Sequence, residues 1–331
     1  LNLTASDTTI PDGFYFTLTR PHTSGNRAEF VLAEKSGIVY RFQAIKGTGG
    51  QKAKLVSVTD RNGNALTLKY LNAPDGRLNT VSDPDGRVIQ FRYAGASARV
   101  ASIETLWTGD TYRYDYNTEN QLTSYRNPVD QANSLNSSEY QYNADDRMES
   151  FEYANGYKMT FEYYRNGKVY RHYDAEGDTA TFTYNDYRRE ATSINQRGDL
   201  QRYIFNPLGL PLEIVEADGS TTRYKYEDPN DPMLRTSVIN AMGYETTYAY
   251  DSNGNLLTET LPSGHTVEYE VYTSFGQPQI IKNAEGDYRV NLYDSNGNLT
   301  DARAFVKNYH PGADLLFGNT AILAANTLSW T

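Results

Sequence analysis

No cysteine occurs anywhere in the 331-residue chain, which excludes disulfide scaffolds, thiolate metal sites and cysteine nucleophiles. Its absence does not fix the compartment, although exported bacterial proteins often lack it. Histidine is scarce: His22, His172, His265 and His310 are all there is, and none lies in His-Glu-x-x-His or another metal spacing. There is no Gly-x-Ser-x-Gly elbow and no P-loop glycine pattern. No apolar run is long enough for a membrane-spanning helix, and the mean hydropathy is −0.68. Residues 1–20 lack the basic start and apolar stretch of a signal peptide. The chain opens on Leu1, so the expectation is an internal piece of a longer protein or a processed one. Basic residues are scattered and the pI is near 5.0, which disfavours a nucleic-acid partner.

Aliphatic residues are also thin. Without its 29 tyrosines the hydrophobic share falls from 38% to about 29%, little for a core of Leu, Ile and Val. A net charge of −10 over this length is too weak to keep the chain unfolded, and 13% aromatic residues argue for folding. Tyrosine must therefore carry much of the packing, with its ring buried and its hydroxyl reaching a polar partner or water.

What the chain has in plenty is a repeat. The second tyrosine of each Tyr-x-Tyr-like pair, or its substitute, recurs at Tyr70, Tyr93, Tyr116, Tyr142, Tyr163, Tyr184, Phe205, Tyr226, Tyr250, Tyr272 and Tyr293, a period of about 21 residues. A glycine series keeps step, from Gly63, Gly86 and Gly109 to Gly156, Gly177, Gly198, Gly219, Gly243, Gly264 and Gly286. One glycine is missing around Leu135 to Ser138, in the longest interval, where an insertion is expected.

Inside a period the alternation is that of a strand. In residues 219–226, Thr222, Tyr224 and Tyr226 share one face and Arg223 and Lys225 the other. Residues 177–184 and 243–250 alternate likewise. Strands end in turns such as Asp251-Ser252-Asn253-Gly254-Asn255 and Asp294-Ser295-Asn296-Gly297-Asn298. Asn-Gly predicts a tight hairpin in which both residues tolerate positive φ. One period is two strands and two turns, so ten periods predict about 20 strands. No 3.6-residue stripe longer than two turns occurs from Lys54 to Phe305. A short helix is allowed only at Ala321–Ala325, where a strand or an unstructured end fits equally.

These observations divide the chain into residues 1–50, a β cap or preceding segment; 51–305, the repeats; and 306–331, an atypical C-terminal segment. Residues 1–50 hold strand-like runs at Phe14–Leu18, Glu29–Leu32 and Ile38–Ile45, then a loop of Gly47-Thr48-Gly49-Gly50. Irregular ends suit a stacked array, whose last units must cover exposed edges.

Tyr250-Asp251-Ser252-Asn253-Gly254-Asn255-Leu256 and Tyr293-Asp294-Ser295-Asn296-Gly297-Asn298-Leu299 both read Tyr, Asp, two residues, Gly, Asn, Leu. Asp60-Arg61-Asn62-Gly63-Asn64 before Tyr70, and Asp83-Pro84-Asp85-Gly86-Arg87 before Tyr93, follow the same lines. The chain thus resembles the Rhs/YD-repeat family over about residues 54 to 305. Several units depart from the pattern: Tyr142 is followed by Asn143, Tyr163 by Tyr164, and Phe205 replaces tyrosine. The resemblance implies an all-β strip of hairpins curled into a shell or tube segment. In that family, bacterial Rhs proteins and insecticidal toxin complexes hold a C-terminal toxin domain in such a shell, and teneurins use a similar one in adhesion. A β-propeller is the competing architecture, because two periods equal one four-stranded blade and Gly167, Gly209, Gly254 and Gly297 fall at about that spacing.

By the resemblance, the chain is a non-catalytic shell segment of a secreted Rhs-type toxin protein. Its partners are a polypeptide cargo or adjacent shell and toxin domains, and its location is secreted or cell-surface. The alternative is a cell-surface adhesin or carbohydrate-binding module, with glycans as partners. About 20 strands at ~4.8 Å each give a strip roughly 100 Å long, too short to enclose a folded domain by itself. The chain could wrap an extended segment or form one turn of a larger shell.

No residue is assigned to catalysis, metal binding or a cofactor. Tyr93, Tyr226, Tyr250, Asp251, Gly254, Asn255, Tyr293, Asp294, Gly297 and Asn298 are the repeat-signature residues, with a structural role. Asp251-x-Asn253-x-Asn255 has the start of a calcium loop, but its glycine stands fourth instead of sixth. The family's self-cleaving plug carries Asp-Pro-x-Gly. Asp83-Pro84-Asp85-Gly86 has those letters inside a repeat turn, and Asp228-Pro229 and Asp231-Pro232 have no following glycine, so no self-cleavage is expected.

Overall fold

A computed structural model describes residues 16–22, 29–45, 52–71, 76–95, 98–133 and 136–305. Among them are 26 strands and one five-residue helix. The predicted loop at 47–50 and the allowed helix at Ala321–Ala325 lie outside the described residues.

The chain divides into two units. The first holds a four-stranded ribbon, from Phe16–His22 to Ala53–Thr59, and an eight-stranded ribbon, from Thr221–Lys225 to Leu299–Phe305. The second holds thirteen strands, from Ala65–Tyr70 to Leu200–Phe205. The strand Pro211–Val215 is shared between the units. Within each ribbon every strand pairs antiparallel with the next in sequence. In the second unit this pairing runs unbroken from the first strand to the thirteenth. Propeller blades would break it every four strands, so the propeller alternative fails.

The turns differ from the tight Asn-Gly form. In the Asp251–Asn255 turn the Gly254 amide donates to Asp251 O at 3.0 Å, and the Asp251 amide to Asn255 O at 2.9 Å. Gly254 and Gly297 take φ of 71° and 78°. Among the described residues only Asn120, Asp146, Arg189 and Val271 are non-glycine residues at positive φ, so Asn253 and Asn296 are not. Only the glycine is left-handed, as in a three-residue hairpin loop closed by a glycine bulge.

The expectation of no helix in the repeats is also corrected. Helix α1 (Pro128–Ala132) fills the long interval that lacks its glycine. Asn127 caps it, its Oδ1 accepting from the Asp130 amide at 2.8 Å, and Pro128 stands in the first turn. Asn-Pro is a legible start signal, overlooked because five residues show no 3.6-residue stripe.

In the second unit the registers sort the side chains onto two faces. Phe151, Phe161, His172 and Phe182 share one face, with ring centroids 5.9, 6.2 and 5.4 Å apart in succession. Tyr114 and Tyr125 pair on the same face at 5.4 Å. The opposite face carries the ion pairs Arg92–Glu104 and Arg171–Glu162 and the Ser124–Asp115 hydrogen bond. Among the described residues no apolar side chain of this unit is buried; Asp130 and Ser150 are its only buried residues. The buried apolar cluster lies in the first unit, where Ile280, Tyr288, Val290 and Phe305 pack together with Leu292 against them.

Candidate functional site

The repeat signature is a hydrogen-bonded device. In the Asp251 turn, Oδ1 accepts the amides of Asn253 and Asn255, both at 2.8 Å, and Oδ2 accepts Asn255 Nδ2 at 2.6 Å. Asp294 repeats this with Asn296 at 2.9 Å, with the Asn298 amide at 2.8 Å and with Asn298 Nδ2 at 3.0 Å. Asp60 does the same with Asn62 and Asn64. Asp83, in the Asp-Pro-x-Gly stretch, accepts the Arg87 amide at 2.8 Å beside Gly86 at φ +83°, which is repeat-turn geometry. Where the turn begins with asparagine, Oδ1 plays the same part: Asn240 accepts from Met242 and Tyr244, and Asn283 from Glu285 and Asp287.

The tyrosines close the other end of each hairpin. The hydroxyl of the last residue in one strand donates to a carbonyl at the start of the strand before it. Tyr93 reaches Leu78 O at 2.6 Å, Tyr116 reaches Val100 O at 3.0 Å and Tyr163 reaches Met148 O at 2.7 Å. Tyr250 reaches Arg235 O at 2.9 Å, Tyr293 reaches Pro278 O at 3.3 Å, and Tyr272 bonds Leu256 O. Burial pushes the Tyr272 hydroxyl up to about 12, with the nearby Asp251 carboxylate adding to the rise. Burial likewise raises Tyr226 and Tyr250. The strand registers slip by one residue at Tyr70, Tyr93, Tyr142, Tyr163, Tyr250 and Tyr293, and between Leu122 and Ser124 opposite Tyr116.

Hydrogen bonds hold the turn carboxylates low. The Asn64 and Asn298 side-chain amides lead this for Asp60 and Asp294; for Asp251 burial opposes it, but its hydrogen bonds and Lys35 prevail. A depressed carboxylate contributes stability at pH above its unfolded value of about 3.9 and loses it as pH falls through the folded value. The double variant Asp60→Asn, Asp294→Asn keeps the Oδ1 acceptor that Asn240 and Asn283 already supply. It is expected to melt below the parent at neutral pH, because the carboxylate contribution and the Oδ2 acceptor for Asn64 and Asn298 are gone, and to converge with the parent as pH falls. Thermal melts from pH 7 to below 3 check this, and an unchanged acid profile would contradict it.

In the first unit two contacts join distant parts of the chain. Lys35, in the turn between Glu29–Glu34 and Val39–Ala44, donates through Nζ to Asn253 O at 2.7 Å and to Asn255 Oδ1 at 2.5 Å. Asn298 Nδ2 donates to Asn62 Oδ1 at 2.7 Å. Beside this junction lies a cleft of about 920 Å³, lined in part by Phe16, Lys35, Leu257, Tyr269, Tyr272 and Phe275. Sequence reasoning placed Asp251, Gly254, Asn255 and Tyr250 in one repeat unit and missed Lys35 and Phe275. No local signal marks a contact across 220 residues.

No group of three or more His, Asp or Glu side chains among the described residues is placed to hold a metal ion. His265 Nδ1 lies 3.2 Å from Ser263 Oγ, His172 lies between Phe161 and Phe182, and His310 is outside the described residues. Among the described residues no helix is long and apolar enough to cross a membrane.

Residues 158–317 match the Teneurin YD-shell family. The chain is 24% identical over 213 residues to a probable deoxyribonuclease RhsB of Dickeya dadantii (strain 3937), covering 64% of this chain and 13% of that protein. It is 29% identical over 129 residues to a double-stranded DNA deaminase toxin A of Burkholderia cenocepacia (strain H111), covering 39% and 9%. Among solved structures, the TcdB2-TccC3-Cdc42 crystal structure has 12% identity and a TM-score of 0.44, covering 88% of this chain and 21% of that one. TcdB2-TccC3 without its hypervariable C-terminal region gives 12%, 0.45, 88% and 20%. The chain therefore spans about an eighth or less of the curated relatives it matches and a fifth of these structures.

Proposed function

Because the chain belongs to the Rhs/YD-repeat family, we propose that it is a non-catalytic shell segment of a secreted Rhs-type toxin protein, encapsulating or presenting a polypeptide cargo. The ten signature residues serve the shell as turn and strand-end locks, residues 51–305 form its repeat strip, and residues 1–50 are its N-terminal β cap or a preceding shell segment. One observation carries this reading. The thirteen-stranded unit has an aromatic face, an ion-paired face and no buried apolar side chain among the described residues. A single-layer sheet with one charged and one aromatic face suits water on the first and polypeptide on the second. The relatives support a role apart from catalysis. A deoxyribonuclease and a DNA deaminase share this kind of segment, and what two different chemistries share is not the source of either.

The test uses the chain itself and an unfolded probe, reduced and carboxymethylated α-lactalbumin. The chain is expected to bind it and slow its digestion by trypsin. Phe151→Asp, Phe161→Asp and Phe182→Asp together should abolish binding while the circular dichroism stays that of a β protein. No protection by the unaltered chain would defeat the proposal. The adhesin alternative rests on outward tyrosines such as Tyr187, 95% exposed. Glycan-array binding lost on Tyr187→Ala would favour it.

A further inference from the structure

Three features of the cleft beside the Lys35 junction point to a ligand. The first is backbone strain. Val271 stands just before signature Tyr272, where other units slip register by one residue. Here the register does not slip, since Glu270 pairs with Ile280 and Tyr272 with Pro278. Instead Val271 takes φ +48° and leaves its side chain 45% exposed on the cleft wall. A β-branched residue in the left-handed region is a strained outlier, and such outliers cluster at ligand clamps.

The second is a cation that several units place over their tyrosine and that this unit, like those of Tyr250 and Tyr293, does not supply before its acceptor carbonyl. Arg77 lies 4.6 Å over the Tyr93 ring, Arg147 lies 5.7 Å over Tyr163 and Lys168 lies 4.9 Å over Tyr184. Arg77 and Arg147 directly precede Leu78 and Met148, whose carbonyls their tyrosines bond. The residue before Leu256, the acceptor for Tyr272, is Asn255. Among the described residues no cation lies over the rings of Tyr269, Tyr272 or Phe275, which line the cleft. Lys35 comes to Asn255 but is engaged in closing the turn.

The third is charge. Among the described residues the cleft is lined by three carboxylates, Glu34, Asp251 and Glu270, and one ammonium, that of Lys35. Its volume and aromatic walls are those of a binding site rather than a packing defect.

We propose that this cleft binds an extended polypeptide segment through a lysine or arginine side chain, which takes over the Tyr272 ring the place that Arg77 and Arg147 hold over theirs. The aromatic faces attract the cation, the carboxylates complement its charge, and Val271 packs on its methylene stem. This inference rests on the reading of the chain as a holder of polypeptide and names one contact by which it holds.

Two fluorescein-labelled peptides, acetyl-VRVRV-amide and acetyl-VEVEV-amide, test it by anisotropy against the chain. The arginine peptide is expected to bind about tenfold or more tightly than the glutamate peptide, with the gap narrowing in high salt. Hydrogen exchange should slow at residues 266–277. Glu270→Gln should weaken the arginine peptide about threefold. Val271→Gly should leave folding intact by relieving the strain and weaken binding as well. Equal binding of the two peptides, no binding, or protection elsewhere than 266–277 would overturn the proposal. If the α-lactalbumin probe is still held through Phe151, Phe161 and Phe182 in that event, this inference falls and the function proposed above stands.

Discussion

Phe305→Ala is expected to lower the stability of the first unit by about 3–5 kcal/mol. Phe305 is fully buried, and Ile280 and Val290 beside it are each 1% exposed. The register sets Phe305 opposite Tyr288, so the ring fills a site walled by neighbours that cannot collapse into it. Phe161→Ala in the second unit should cost only about 1 kcal/mol, because the rings beside Phe161 have solvent over them and leave no closed cavity. Denaturant melts followed by hydrogen exchange in each unit separate the two effects. Equal losses would mean that the aromatic face of the second unit is already covered in the isolated chain, against the function proposed here.

Gly37→Val and Gly297→Val should be as damaging, at about 3–5 kcal/mol, while Gly264→Val should cost about 1–2 kcal/mol. All three glycines have positive φ, of 88°, 78° and 83°. Left-handed strain is therefore common to them and does not set the order. A β-carbon at Gly264 would meet nothing within 4 Å. At Gly37 it would lie 2.8 Å from Phe275 Cε1 and 2.9 Å from Arg61 Cβ, and at Gly297 2.6 Å from Phe275 Cδ2. Phe275 is thus wedged between two turns, one from each ribbon of the first unit. Thermal melts of the three variants check the order, and equal losses would mean that the wedge carries no stability.

Much of this was legible in the residues. The Tyr and Gly series mark the hairpins because a two-strand unit must end each strand the same way to stack on the next. Asp251, Gly254 and Asn255 are readable because their bonds close within five residues. Tyr250, Tyr272 and Tyr293 are readable because their partners lie one hairpin back. Asn253 was misread because Asn-Gly fits two turn types, and only the backbone shows that the asparagine stays right-handed. Helix α1 escaped because periodicity cannot register in five residues, although Asn127 and Pro128 announced it.

The sequence by itself determined the all-β repeat, its period and the chemistry of its turns, since each rests on contacts within about 21 residues. Tertiary structure alone decided which repeats stop being equivalent. Gly297 and Gly264 carry the same letter in the same kind of turn, yet only Gly297 has Phe275 against it. Lys35 meets Asn255 across 220 residues, and Val271 turns left-handed where its counterparts slip register. A periodic sequence specifies each unit by its neighbours. Where distant units meet, the outcome depends on which surfaces the stacking brings face to face, and no local pattern encodes that.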